Sequence, residues 1–165
     1  MVLLRTMRIL MVCLGNICRS PIAEGVMREK IRLHGLNWQV ASAGTESYHI
    51  GEAPHRFSQK VCLANGIDIS GQRARKLLRS DFAQFDRIYA FADDVYREMR
   101  RIAAGADMSN ADYFLNELQP GSNGSVPDPY YGNEEGYAHV FELINKACDA
   151  IIAKYHFEHH QMAHQ

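Results

Sequence analysis

Several things are scarce in this 165-residue sequence, and each scarcity closes off a class of protein. Net charge is nearly absent. The 18 Lys and Arg stand against 19 Asp and Glu, so no global basic field draws the chain to nucleic acid or to an anionic membrane. Any anion site must be local. Long apolar runs are missing too, and none approaches the roughly 20 residues of a membrane span. The start, Met1–Arg8, carries Arg5 and Arg8. The run Ile9–Leu14 that follows is interrupted by Gly15–Asn16, with no small-residue cleavage site after it, so a signal peptide is not expected. Cysteine is limited to Cys13, Cys18, Cys62 and Cys148. A chain of this length, 47% hydrophobic, does not need disulfides to hold a core. The thiols are therefore expected to be free, in a reducing cytoplasm. Repeats, linkers and low-complexity segments are also absent. One domain is expected over 1–165, with its core at about 7–155.

What is present is an alternation of apolar runs and helical patterns, the mark of an α/β protein. Met7–Val12 reads as a central strand buried on both faces. A helix is expected to open at Ser20–Pro21, with Ser20 near the cap, and to end at Gly35. Ile22, Ala23, Val26, Met27 and Ile31 give it an apolar face. Further strands are predicted at Trp38–Ala43, Phe85–Phe91 and Ala111–Asn116, and further helices at Arg56–Ala64, Asp93–Ala104 and Tyr137–Tyr155. Residues 119–136 form a long loop of the kind that often carries function. The end of the chain, with His159, His160 and His164, reads as a frayed tail. The expected fold is a three-layer α/β domain with a central four-stranded parallel sheet flanked by helices. Ligands of such sheets sit beyond the carboxyl ends of the strands, which points at the loop after Val12.

That loop is Cys13-Leu14-Gly15-Asn16-Ile17-Cys18-Arg19-Ser20. Between a buried strand and a helix start, it can curl so that backbone N–H groups of residues 14 to 20 face inward as an anion nest. The helix start adds its own free N–H groups. Gly15 and Asn16 are residue types that tolerate the left-handed backbone such a curl needs. Arg19 adds a planar fork that matches two phosphate oxygens. Cys13 sits at the base of this positive cup, where a thiolate is favoured and is an in-line nucleophile under a bound phosphoryl group. The Gly-Lys-Ser/Thr ending of nucleotide phosphate loops is missing.

Transfer to a thiolate needs a proton donor for the leaving oxygen. Asp128, in Val126-Pro127-Asp128-Pro129-Tyr130-Tyr131-Gly132, is the candidate, with a proline fixing the backbone on either side. Tyr130 and Tyr131 are placed either to wall a slot for an aromatic ring or to pack the loop.

Together these segments resemble the low-molecular-weight protein tyrosine phosphatases. Val12–Pro21 is similar to the signature loop of that family, Ser42-Ala43-Gly44-Thr45 to the segment after its second strand, and Asp128–Gly132 to its general-acid loop. The resemblance covers nearly all of residues 7 to 155. It implies hydrolysis of phosphotyrosine in a protein or peptide through a cysteinyl-phosphate, with inorganic phosphate as product and no metal or organic cofactor. Cys13 would be the nucleophile, Arg19 the phosphate ligand, and Asp128 the acid and then the base. It further implies that Ser20 hydrogen-bonds the Cys13 thiolate, that Asn16 braces the loop, and that Cys18 pairs reversibly with Cys13 on oxidation. A monomer or weak dimer is implied. Two departures stand out. Tyr48, before His49, occupies a rim position where many members carry tryptophan. Arg73 stands where a loop-bracing histidine is often found.

Related chemistries on the same fold are less well matched. Arsenate reduction needs a relay of further thiols, and Cys62 stands alone. Members acting on phosphoarginine tend to carry threonine where this chain has Ile17. A catalytically dead phosphopeptide-binding module would not need nucleophile, arginine and acid together. Cys62 and Cys148 read as core. The arginines at 73, 75, 79, 97, 100 and 101 read as solvated helix faces, and the terminal histidines lack the partners of a metal site.

Overall fold

A computed structural model describes residues 6–163, with side chains up to His156. Arg5 and His164 lie outside the described residues.

The sheet is built from β1 (Arg8–Cys13), β2 (Gln39–Gly44), β3 (Arg87–Ala90) and β4 (Ala111–Tyr113). All neighbours are parallel, in the order β2-β1-β3-β4. The helices are α1 (Arg19–Leu33), α2 (Arg56–Ala64), α3 (Asp81–Gln84), α4 (Asp93–Ala103) and α5 (Glu134–Ala163).

Side chains alternate faces along a strand, and β1 uses that alternation to make two cores. Ile9, Met11 and Cys13 join a cluster with α1 and α5 residues such as Ile22, Val26 and Ile144. Leu10 and Val12 face the other way, onto Val95 and Met99 of α4 and Phe82 of α3. A strand buried on both faces has no room for polar residues, which is why Ile9–Val12 is wholly apolar. The result is the three-layer arrangement predicted. β1 lies between β2 and β3: the chain runs from β1 to β2 on one side and then crosses back to β3 on the other. The carboxyl end of β1 is therefore the point where strand order reverses and a crevice opens.

Four local expectations need correction. β4 stops at Tyr113, because Phe114–Glu117 turns into a 3-10 helix that buries Phe114 and Leu115. α5 starts earlier than predicted, at Glu134, whose carboxyl group suits a helix start. It also continues to Ala163, past the predicted end at Tyr155. The sequence there holds no Gly or Pro to stop it, so His159 and His160 belong to its backbone. Finally, Arg73, Arg75 and Arg79 do not lie on a helix. Arg75 is bound to the buried carboxylate of Asp81 at 3.0 Å, and Arg79 donates to the Ala103 carbonyl at 2.9 Å. Arg97, Arg100 and Arg101 do lie on α4. Among the described residues, no helix is long and apolar enough to cross a membrane.

Candidate active site

Cys13 is the last residue of β1, paired with Gly44 at the end of β2. The loop that follows bends back against β2 at very close range. A Cβ on Gly44 would sit 2.8 Å from the Leu14 carbonyl oxygen and 3.0 Å from the Asn16 nitrogen. Only glycine leaves room for the loop there. The N–H groups of Thr45 and Glu46 then donate to the carbonyls of Cys13 and Leu14, at 3.1 and 2.9 Å.

The curl is made by Asn16, whose φ of +58° is left-handed. Gly15 does not share that conformation. What restricts it is space, since a Cβ there would lie 3.1 Å from the His49 ring. Asn16 is 3% exposed and fully engaged. Its Nδ2 donates to Ser20 Oγ at 2.8 Å and to Ser42 Oγ at 2.9 Å, and its Oδ1 accepts from the Arg75 N–H at 3.0 Å. Ser42 in turn donates to Glu24 of α1 at 2.9 Å.

Helix α1 begins at Arg19, one residue before the predicted cap. Its N-terminal flank, Cys18, makes no side-chain cap, so the first-turn N–H groups are left for an anion. Ser20 is thus not a cap. Its hydroxyl lies 2.9 Å from the Cys13 sulfur. Because Oγ already accepts from Asn16, its own proton is free to point at that sulfur, which stabilises a thiolate.

A cavity of about 320 Å³ opens over Cys13. Leu14, Gly15, Ile17, Cys18 and Arg19 line its floor. Asp128, Tyr130, Tyr131 and Tyr48 line its walls, together with His49, which was not singled out from the sequence. Asn16 and Ser20 stand behind the floor. Arg19 is anchored by Nη1 donating to the Val126 carbonyl at 3.0 Å, and its Nη2 lies 3.5 Å from the Asp128 carboxylate. The other Asp128 oxygen accepts from the Tyr130 N–H at 3.0 Å. The signature loop and the acid loop thereby meet through one guanidinium. Tyr131 is 94% exposed and Tyr48 79%, so the rim presents aromatic rings to solvent.

Cys18 shares the cavity but not the environment of Cys13. Its sulfur lies 3.4 Å from the Tyr137 hydroxyl, and burial pushes its thiol up to about 11, outweighing that hydrogen bond. It is a thiol at neutral pH. Cys62 is pushed up to about 12 by burial alone. Tyr137 of α5, stacked on His55, is bonded to the loop, and nothing in its local sequence announces it. Arg73, expected at the position of a bracing histidine, turns away to the carbonyls of Ser70 and Gln72. The residue that reaches α1 is its neighbour Gln72, through Nε2 to the Pro21 carbonyl at 3.1 Å.

Residues 8–161 match the family model described as low molecular weight phosphotyrosine protein phosphatase. The human low molecular weight phosphotyrosine protein phosphatase is 36% identical over 154 residues, covering 92% of this chain and 97% of that protein. The low molecular weight protein-tyrosine-phosphatase YfkJ of Bacillus subtilis is 36% identical over 148 residues, covering 88% and 93%. The crystal structure of YfkJ superposes with a TM-score of 0.85 over 93% of this chain and 97% of that one, at 34% identity. A protein tyrosine phosphatase from Entamoeba histolytica superposes equally well, at 0.85 and 35% identity over 93% and 99%. With the family model matched over residues 8–161 and the fold and nearly the full length in common, the chain belongs to the low molecular weight phosphotyrosine protein phosphatase family.

Proposed function

We propose that this protein-tyrosine phosphatase hydrolyses phosphotyrosine of a protein or peptide in two steps, through a cysteinyl-phosphate on Cys13. In the first step the Cys13 thiolate attacks phosphorus. The bond to the tyrosyl oxygen breaks, and Asp128 gives that oxygen its proton. In the second step water attacks phosphorus and gives a proton to Asp128. The S–P bond breaks, releasing inorganic phosphate and the thiolate. Arg19 and the N–H groups of residues 14 to 20 hold the equatorial oxygens through both steps.

The observation that carries this reading is the Cys13 sulfur, 2.9 Å from the Ser20 hydroxyl, on the floor of the same cavity that Arg19 and Asp128 line. Ile17, lining the cavity with Tyr130 and Tyr131, favours an aromatic ring over a guanidino group. Four cysteines without disulfides suit a reducing, cytoplasmic setting. Action as a monomer or weak dimer belongs to the same proposal.

Hydrolysis of phosphotyrosine and phosphoarginine, assayed side by side without added metal on the wild type and Cys13→Ser, tests it. Phosphotyrosine turnover that disappears in the variant is expected. Turnover of phosphoarginine alone would overturn the substrate and keep the mechanism. Undiminished turnover by folded Cys13→Ser would remove Cys13 as nucleophile.

A further inference from the structure

His49 lies on the wall of the active-site cavity, yet neither chemical step uses it. Its ring is fixed from three sides. Nδ1 is 2.7 Å from Glu52 Oε2. The ring edge rests on the phosphate loop, where a Cβ at Gly15 would lie 3.1 Å from Cδ2 and 3.9 Å from Nε2. The Tyr130 ring stands beyond it, with centroids 6.1 Å apart. The turn carrying the pair is itself tied down. The Glu52 N–H donates to the His49 carbonyl, and the Gly51 N–H and Glu52 carbonyl both pair with Ala74.

The Glu52 carboxylate holds a proton on Nδ1 and fixes the ring orientation. Among the described residues nothing bonds Nε2, and the one ion pair of Glu52 is with His49. Glu52 is 58% exposed, so its second oxygen faces solvent. The Glu52 carboxylate is thus held beside the mouth of the cavity by the His49 ring that lines it. Arg19 is engaged with the acid loop and the phosphate cup, and Lys60 is held by Glu134 at 2.9 Å. A carboxylate fixed in place with an oxygen open to solvent suits a guanidinium fork or an ammonium group.

We propose that His49 and Glu52 form a subsite for a basic side chain, arginine or lysine, adjacent to the phosphotyrosine of a peptide substrate. The proposal rests on the phosphotyrosine hydrolysis proposed above. The contact is at the rim, so its effect is moderate and falls on KM.

The test uses phosphotyrosine peptides that differ only in arginine or citrulline next to the phosphotyrosine, on either side. Citrulline keeps the shape and removes the charge. Wild type is expected to favour the arginine peptide about fivefold in kcat/KM on one side. That ratio should fall to about one in Glu52→Gln and in His49→Gln, and below one in Glu52→Lys. Equal kcat/KM for both peptides in wild type, or a ratio that survives both neutral variants, overturns the subsite while leaving the hydrolysis intact. Turnover of neither peptide by wild type overturns the proposed function and the subsite with it.

Discussion

Arg19 and Asp128 face each other across 3.5 Å, but the arginine side chain is 5% exposed and the aspartate 40%. The contrast extends to the segments that carry them. The cup is held from behind by β2, by α1 and by the segment at Arg75, with Asn16 at the centre of the hydrogen bonds. The acid loop is pinned at its start, where the Val126 N–H donates to the Phe91 carbonyl at 2.7 Å. Beyond that and the two contacts from Arg19, its bonds are local, Tyr130 N–H to Asp128 and Gly132 N–H to the Pro129 carbonyl. The two proposed tasks differ accordingly. Donors aimed at a phosphoryl group act best when they need no rearrangement as charge develops. A proton donor at the mouth must meet leaving groups of different shapes, and a loop on the surface can adjust.

The comparison breaks first at Arg19. Lys keeps the charge but loses the fork and the bond to the Val126 carbonyl, so Arg19→Lys removes a fixed part of the cup. A fall in kcat on the order of a thousandfold is expected, nearly equal for all aryl phosphates. Steady-state kinetics on two esters would check it. A loss below tenfold would show the cup to be as adaptable as the loop. Asp128→Asn tests the other wall. The expected loss is about a hundredfold for phenyl phosphate and much less for p-nitrophenyl phosphate, whose leaving group needs no proton. Equal slowing of both would move the proton transfer elsewhere.

These two residues were also the ones most legible in the sequence, for a physical reason. Strand, cup and helix start are contiguous from Arg8 to Pro21, so local pattern and chemistry coincide in one segment. Asp128 was marked by its flanking prolines. What escaped notice comes together only through tertiary packing. The restriction on Gly44 lies in the closeness of the Leu14 carbonyl, thirty positions away in the chain. His49 and Tyr137 enter the site from a turn and a distant helix. An irregular segment has no periodicity to say which side chain points inward; Arg73 turns away, and its neighbour Gln72 reaches α1. For the same reason the sequence pattern places Arg75 on a solvated helix face, whereas it pairs with the buried Asp81. Element boundaries at β4 and α5 shifted where packing of Phe114 and the absence of a helix stop outweighed the local pattern.

The smallest effect sharpens the comparison in stability instead of rate. Asn16→Ala removes three hydrogen bonds and leaves Ser42 Oγ, Ser20 Oγ and the Arg75 N–H to find other partners in a site where Asn16 is 3% exposed. It also places a residue without a polar side chain at φ +58°, which Asn tolerates better than Ala. A loss of about 2–3 kcal/mol is expected. Tyr131→Ala removes a ring that is 94% exposed, and its cost should stay within about 0.5 kcal/mol. Urea unfolding midpoints at unchanged slope measure both. If the two variants were equally stable, the bonds around Asn16 would not be holding the cup, and its geometry would have to come from the close packing of Gly44 alone.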